Sequence, residues 1–249
     1  METAAIEEFQ THGQDIPWLL QHWAEQKPDH DALVWAPREG DGRRWTYAAL
    51  LTDVQRIAAG LAARGIAKGD KVLIHSENCP EMVLSWLACA TLGAVAVTTN
   101  TKSVGAEVTY FAEHTGAVAA ITQPQYAAMV AGAAPALKWI AVTDDNSGEP
   151  ASEKEAAHGF DSFDTLVGDA AEFSPRPPEP MLPFGIMFTS GTTSRPKAVV
   201  HTHANAIWAS RTGPRNIDIT TDDTYIIFLP FFHVNAQSWS LFSVLGVGA

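Results

Sequence analysis

A chain of 249 residues, 46% hydrophobic and 18% charged, is long enough for one large or two modest folded units, and its composition excludes extended disorder. The net charge of −12 leaves no basic face for nucleic acid. Cys79 and Cys89 fit neither a zinc-ligand spacing nor a CxxC redox motif and read as reduced thiols near a core. The polar, acidic N-terminus is no signal peptide, so the expected location is the cytoplasm.

In chain order, residues 17–26 carry Trp18, Leu19, His22 and Trp23 at helical spacing. Residues 32–35 and 44–47 flank a Gly/Asp turn and predict a hairpin. Thr46 is placed to cap a helix over 47–64, which Gly65 ends. Strands and helices then alternate: strands over 72–75, 94–98, 118–122 and 139–143, helices over 80–92, 104–114 and 125–131. The uncharged run 82–101 holds Ser85, Thr91, Thr98, Thr99 and Asn100, and reads as a buried helix and strand rather than a membrane span. Residues 144–180 break the rhythm with ten acids against two bases and end in SPRPPEP, which predicts a surface excursion with one short helix near 163–167. Beyond it come strands over 185–188, 198–202 and 225–229 and helices over 204–212 and 236–245. The rhythm predicts an α/β fold with a parallel or mixed sheet covered by helices. No Asp, Glu, Lys or Arg follows Asp223, so either further chain or a covering partner is expected at that end.

The chemistry concentrates in FTSGTTSRPKAVV, residues 188–200. Residues 189–194 hold five hydroxyls and a glycine, and the stretch 181–217 has no acid but has Arg195, Lys197, Arg211 and Arg215. A hydroxyl-rich loop after a strand, followed by a mobile ammonium group, suits a phosphate. It is not a Walker loop: Pro196 stands where the second glycine belongs, and Ala198 where the magnesium-binding hydroxyl belongs. No GxGxxG opens a helix either. The residues alone leave a phosphate site and an ordinary polar turn both open.

TSGTTSRPKAVV resembles the phosphate-binding signature of the adenylate-forming superfamily of acyl-CoA synthetases, luciferases and nonribosomal adenylation domains. WLLQHWAEQKPDHDALVW, the RRWTYAALL block, LACATLGAVAVTTNTK and IIFLPFFHVNAQ resemble further parts of the large N-terminal domain, and the wording is similar to acyl-CoA ligases of the crotonobetaine/carnitine type. The resemblance implies the incomplete N-terminal domain of an adenylate-forming enzyme. Residues 1–143 would be a first α/β unit with its N-terminal helix and hairpin, 144–183 the acidic excursion, and 184–249 the start of a second unit. Later family motifs have no counterpart here: the Tyr-Gly-x-Thr-Glu segment, the ribose-binding Asp and the lysine of a small C-terminal domain.

The implied reaction activates a small carboxylic acid with ATP and Mg2+ to an acyl-adenylate, then transfers it to CoA. The alternatives are an enzyme loading an amino or aryl acid onto a carrier protein, and a non-catalytic nucleotide-binding fragment. Thr189, Ser190, Gly191, Thr192, Thr193 and Lys197 match the polyphosphate motif, with Ser194 and Ala198 in place of glycines. His233 is the implied catalytic-site residue, and Asn235, Gln237 and Trp239 are candidates for the acyl pocket. His201 and His203 lack a third metal ligand, so no metal site is assigned, and His203 is expected to hydrogen-bond at the next helix start.

Overall fold

Asp15 starts the first helix: its carboxylate accepts the Trp18 N–H (3.0 Å), one of the amides a helix start leaves unpaired. The computed structural model describes residues 10–37, 40–152, 159–189 and 195–249. After α1 (Ile16–Gln26), β1 (Asp31–Trp35) and β2 (Arg43–Thr46) form an antiparallel hairpin. Thr46 caps α2 (Tyr47–Ala63) through the Ala49 N–H, and Gly65, at φ +80°, turns the chain out of it. Then follow β3 (Lys71–His75), α3 (Pro80–Leu92), β4 (Val95–Thr98), α4 (Gly105–Thr115), β5 (Ala117–Thr122), α5 (Pro124–Ala133) and β6 (Ile140–Val142). β7 (Asp145–Asn146) and β8 (Glu149–Pro150) make a small ribbon, and β9 (Asp161–Ser162) precedes β10 (Pro183–Phe188) and β11 (Ala198–Thr202). The chain closes with α6 (His203–Ile217), a π-helical turn Asn235–Leu241 and α7 (Phe242–Val247).

One seven-stranded sheet runs in the order β11-β10-β4-β3-β5-β6-β9, parallel except for β11, which pairs antiparallel with β10. Helices cover it, so central strands such as Val72–Leu73–Ile74 and Val95–Ala96–Val97 are buried on both faces and read as unbroken apolar runs. Trp86 on α3 lies at the centre of an aromatic cluster. Phe184 of β10 (5.4 Å, 81°) and Phe231 (5.2 Å, 86°) meet it edge to face, and Phe242 of α7 lies 5.4 Å away. Cys79 and Cys89 are free and buried, and burial pushes both thiols up to about 12, which keeps them unreactive. No helix of the described residues is long and apolar enough to cross a membrane.

Two readings of the sequence change. The 225–229 stretch is not a strand: it has strand-like residues, but no described strand pairs with it, and Ile226 and Phe228 are 75% and 79% exposed. The acidic segment is not all surface, because β9 extends the sheet and Phe163 and Leu166 are buried against α2. The hairpin β10–β11 extends the seven-stranded sheet at its β4 side. The chain's last residues lie against α1 and the start of α2. Trp23 Nε1–H and Tyr47 O–H donate to the carbonyls of Leu245 (2.5 Å) and Ala249 (2.9 Å), and Lys27 reaches Gly248 (3.1 Å). Gly248 has φ +68°, and a Cβ there would meet the Trp23 ring at 2.6 Å.

His75, at the end of β3, is fully buried with Nδ1 2.9 Å from Thr99 Oγ1, and burial lowers its pKa from 6.5 to about 4. The buried His203 shifts the same way, through burial and the neighbouring Arg176. A depressed histidine pKa means that the unfolded chain takes up more protons between pH 6.5 and pH 4. Stability is therefore complete above about pH 6.5 and declines as pH falls through that window. Between pH 7 and pH 5, His75 alone should cost about 2 kcal/mol. Urea midpoints at the two pH values check this; an unchanged midpoint would mean that the imidazoles are already charged in the fold.

Candidate functional site

β3, β4 and β10 are parallel neighbours, so the segments leaving His75, Thr98 and Phe188 emerge at one carboxyl edge of the sheet. In open parallel sheets, ligands bind at that edge. The register Phe188↔Ala198 is continued by Thr189, whose N–H donates to the Lys197 carbonyl (3.0 Å) while its Oγ1 accepts the Lys197 N–H (3.1 Å). Thr189 and Lys197 therefore close the base of the hydroxyl-rich segment from both strands. Both are exposed, and no described carboxylate forms an ion pair with Lys197.

α4 supports this base. Tyr110 O–H donates to the Pro196 carbonyl (3.0 Å), and Phe111 lies against Phe188 with ring centroids 4.1 Å apart. Arg195 lies over the Tyr110 ring at 5.4 Å, so its side chain has a cation–π partner. Ala198, which replaces a glycine of the motif, is an ordinary extended strand residue without positive φ. Ser190, Gly191, Thr192, Thr193 and Ser194 lie outside the described residues.

A second structure meets the same edge. Phe231 is buried in the Trp86 cluster, and the adjoining turn presents His233, which is exposed. Asn78, in the segment after β3, holds the turn from both sides: its Nδ2 donates to the Leu229 carbonyl (2.8 Å) and its Oδ1 accepts the Phe231 N–H (2.6 Å). Thr98, ending β4, donates to the Phe232 carbonyl (3.2 Å). The π-helical turn begins directly after His233 and Val234, with the Asn235 N–H directed at His233 Nδ1 (3.4 Å). Such turns are rare and concentrate at functional sites.

The pocket candidates separate. Asn235 is exposed and Trp239 is 50% exposed, so both face solvent on this side. Gln237 is 1% exposed, and its amide donates to the Phe231 carbonyl (2.8 Å) and Thr98 Oγ1 (3.4 Å), so it braces the turn. His203 begins α6, where Nδ1 accepts the Ile16 N–H (3.3 Å) and Arg176 Nη2 lies 3.1 Å from Nε2. His201 remains on β11, and both imidazoles lie beside the Phe184 ring, at 6.5 and 5.3 Å.

A cavity of about 250 Å3 lies beside the β1–β2 hairpin, on the β6–β9 side of the same edge, and its described lining includes Asp41, Glu81, Asp144, Asp145 and Asp164 against Arg43. Burial, then Asp164 and Asp145, raise the Asp144 pKa. That charge balance repels a polyphosphate, so within this edge the β4–β10 side, next to Lys197, is the more compatible with an anion. Asn78, Thr98 and Tyr110 went unnoticed in the sequence. Each acts through one or two polar contacts with residues far along the chain, and only the turn-like SENCP around Asn78 gives any local signal.

The model of the family described as AMP-binding enzyme matches residues 20–249. Crotonobetaine/carnitine–CoA ligase of Salmonella paratyphi A is 29% identical, over 95% of this chain and 46% of the relative. The chain thus spans about half the length of the curated relatives it matches. Among solved structures, O-succinylbenzoate coenzyme A synthetase from Bacillus subtilis, in complex with AMP, is 28% identical with a TM-score of 0.70, over 91% of this chain and 52% of that one. Mycobacterium smegmatis MbtA is 27% identical with a TM-score of 0.79, over 95% and 43%.

Proposed function

Because the chain belongs to the AMP-binding enzyme family, we propose that it supplies the polyphosphate-binding and acyl-facing half of an ATP-dependent acid–CoA ligase. The observation that carries this reading is the convergence at one carboxyl edge of the segment closed by Thr189 and Lys197 and the turn bearing His233. The likeness to a synthetase solved with AMP supports nucleotide binding, and the likeness to crotonobetaine/carnitine–CoA ligases supports an acid as substrate.

In the proposed reaction a carboxylate oxygen attacks the α-phosphorus, the bond to the bridging oxygen of the β-phosphate breaks, and pyrophosphate leaves. CoA thiolate then attacks the acyl carbon and AMP departs. Thr189, Ser190, Gly191, Thr192, Thr193 and Lys197 neutralise the charge that pyrophosphate carries away. His233 orients the acid. Magnesium would add to that neutralisation. Among the described residues, however, no cluster of three or more His, Cys, Asp or Glu could hold a metal ion, so none of them is assigned to it.

The exposed apolar residues Val199, Val200, Ile226 and Phe228 are surface that the remainder of the enzyme, or a partner chain, would cover. The test is ATP–pyrophosphate exchange by the complete protein across a panel of carboxylic acids; no acid-stimulated exchange with any of them would sink the reading. The 249-residue chain alone is expected to bind ATP without turnover. Acid-dependent pyrophosphate release from it would show that this half is sufficient.

A further inference from the structure

Asn78 has no place in the phosphate motif or the acyl-pocket candidates, yet it makes the most specific long-range contact of the His233 turn. Pro230 lacks an N–H, so the chain around it offers an outward carbonyl, Leu229 O, and the next available amide, Phe231 N–H. A carboxamide is the short side chain that serves both at once, donating at 2.8 Å and accepting at 2.6 Å across 151 and 153 residues of sequence. Asn78 itself has little freedom, because it lies between buried Ser76 and Cys79 with Pro80 opening α3. The Phe231 ring sets the depth of the turn in the Trp86 cluster, and the carboxamide sets its register. The Phe231 and Phe232 carbonyls are held by Gln237 and Thr98. The His233 N–H closes the turn onto the Pro230 carbonyl (3.0 Å).

We propose that Asn78 is a positioning residue: by clamping Leu229 and Phe231 it holds His233 at the carboxyl edge, facing the acid to be activated. The anchoring stands on its own, whereas its effect on catalysis rests on the ligase reading above.

The experiment compares wild type, Asn78→Ala and Asn78→Asp. Amide exchange and imidazole NMR are measured on this chain, and acid-dependent ATP–pyrophosphate exchange is measured on the complete protein. Asn78→Ala should speed exchange of the Phe231 amide at least about tenfold and shift the His233 resonances. Asn78→Asp keeps the acceptor for Phe231 but repels the Leu229 carbonyl, so it should preserve Phe231 protection while still shifting His233. In both variants kcat should fall about 10- to 100-fold, as expected for a misplaced group, with the KM for ATP changed less than about twofold. Unchanged Phe231 exchange and His233 resonances in Asn78→Ala overturn the proposal. If that variant does not fold, wild-type His233 resonances in Asn78→Asp overturn it. A displaced turn with full activity in both Asn78→Ala and His233→Ala would instead retire the role of His233 and leave the anchoring intact.

Discussion

Lys197→Ala should slow acid-dependent ATP–pyrophosphate exchange by the complete protein about 10²- to 10³-fold, the usual effect of removing one preorganised donor from a developing anion. The substitution is clean. The backbone N–H and carbonyl of Lys197 bond Thr189 at 3.1 and 3.0 Å, and these contacts survive truncation at Cβ. The side chain is exposed and no described carboxylate pairs with it, so its loss leaves no described partner charge stranded. The melting temperature should therefore stay close to wild type while exchange collapses. Lys197→Arg restores the charge on a planar group of different reach and should recover only part of the rate. Normal exchange in Lys197→Ala would remove the ammonium from the polyphosphate site.

Asp15→Ala should destabilise the fold by about 3–5 kcal/mol, because it strands a buried cation. The Asp15 carboxylate is fully buried. It accepts the Trp18 N–H (3.0 Å), the Glu179 N–H (3.0 Å) and the Arg176 guanidinium (2.8 Å), whose side chain is only 12% exposed. Beside it, the same guanidinium touches His203 at the start of α6. One carboxylate thus ties α1, the Pro-rich segment and α6 together. Without it Arg176 keeps its long-range attraction to Glu179, which is itself engaged by Lys68 at 2.6 Å. For a chain of this size the loss corresponds to a fall in melting temperature of roughly 10 °C. Asp15→Asn keeps the helix cap but not the charge and should fall between the two. A melting temperature unchanged in Asp15→Ala would mean that water, not Asp15, compensates Arg176.

The alternating βα rhythm is legible because each central strand is a short apolar run and helices end at left-handed glycines such as Gly93 and Gly116. Residues 225–229 carry the same strand-like composition, but a ladder needs a neighbour, and composition does not specify one. β9 could not be foreseen: Asp161 and Ser162 have no strand preference and pair with β6 only because the acidic segment returns to the sheet. The hydroxyl-rich stretch that resembles the family's phosphate signature is legible because its residues are contiguous. The part played by Asn78 is not legible locally, because it is made through hydrogen bonds to a turn 151 and 153 residues away, which no local pattern encodes.

The insertion of β10 beside β4 also sets an order of assembly. β4 is complete at Thr98, but its second neighbour does not begin until Pro183. On a ribosome adding about 5–20 residues per second, the open flank of β4 therefore waits on the order of ten seconds for that neighbour. The β3–β4–β5–β6 scaffold can form in the interval, whereas the hairpin that frames the hydroxyl-rich segment must dock afterwards onto a surface already built. Nascent chains stalled shortly after residue 143 would display that flank to chaperones, and those stalled beyond residue 202 would have covered it.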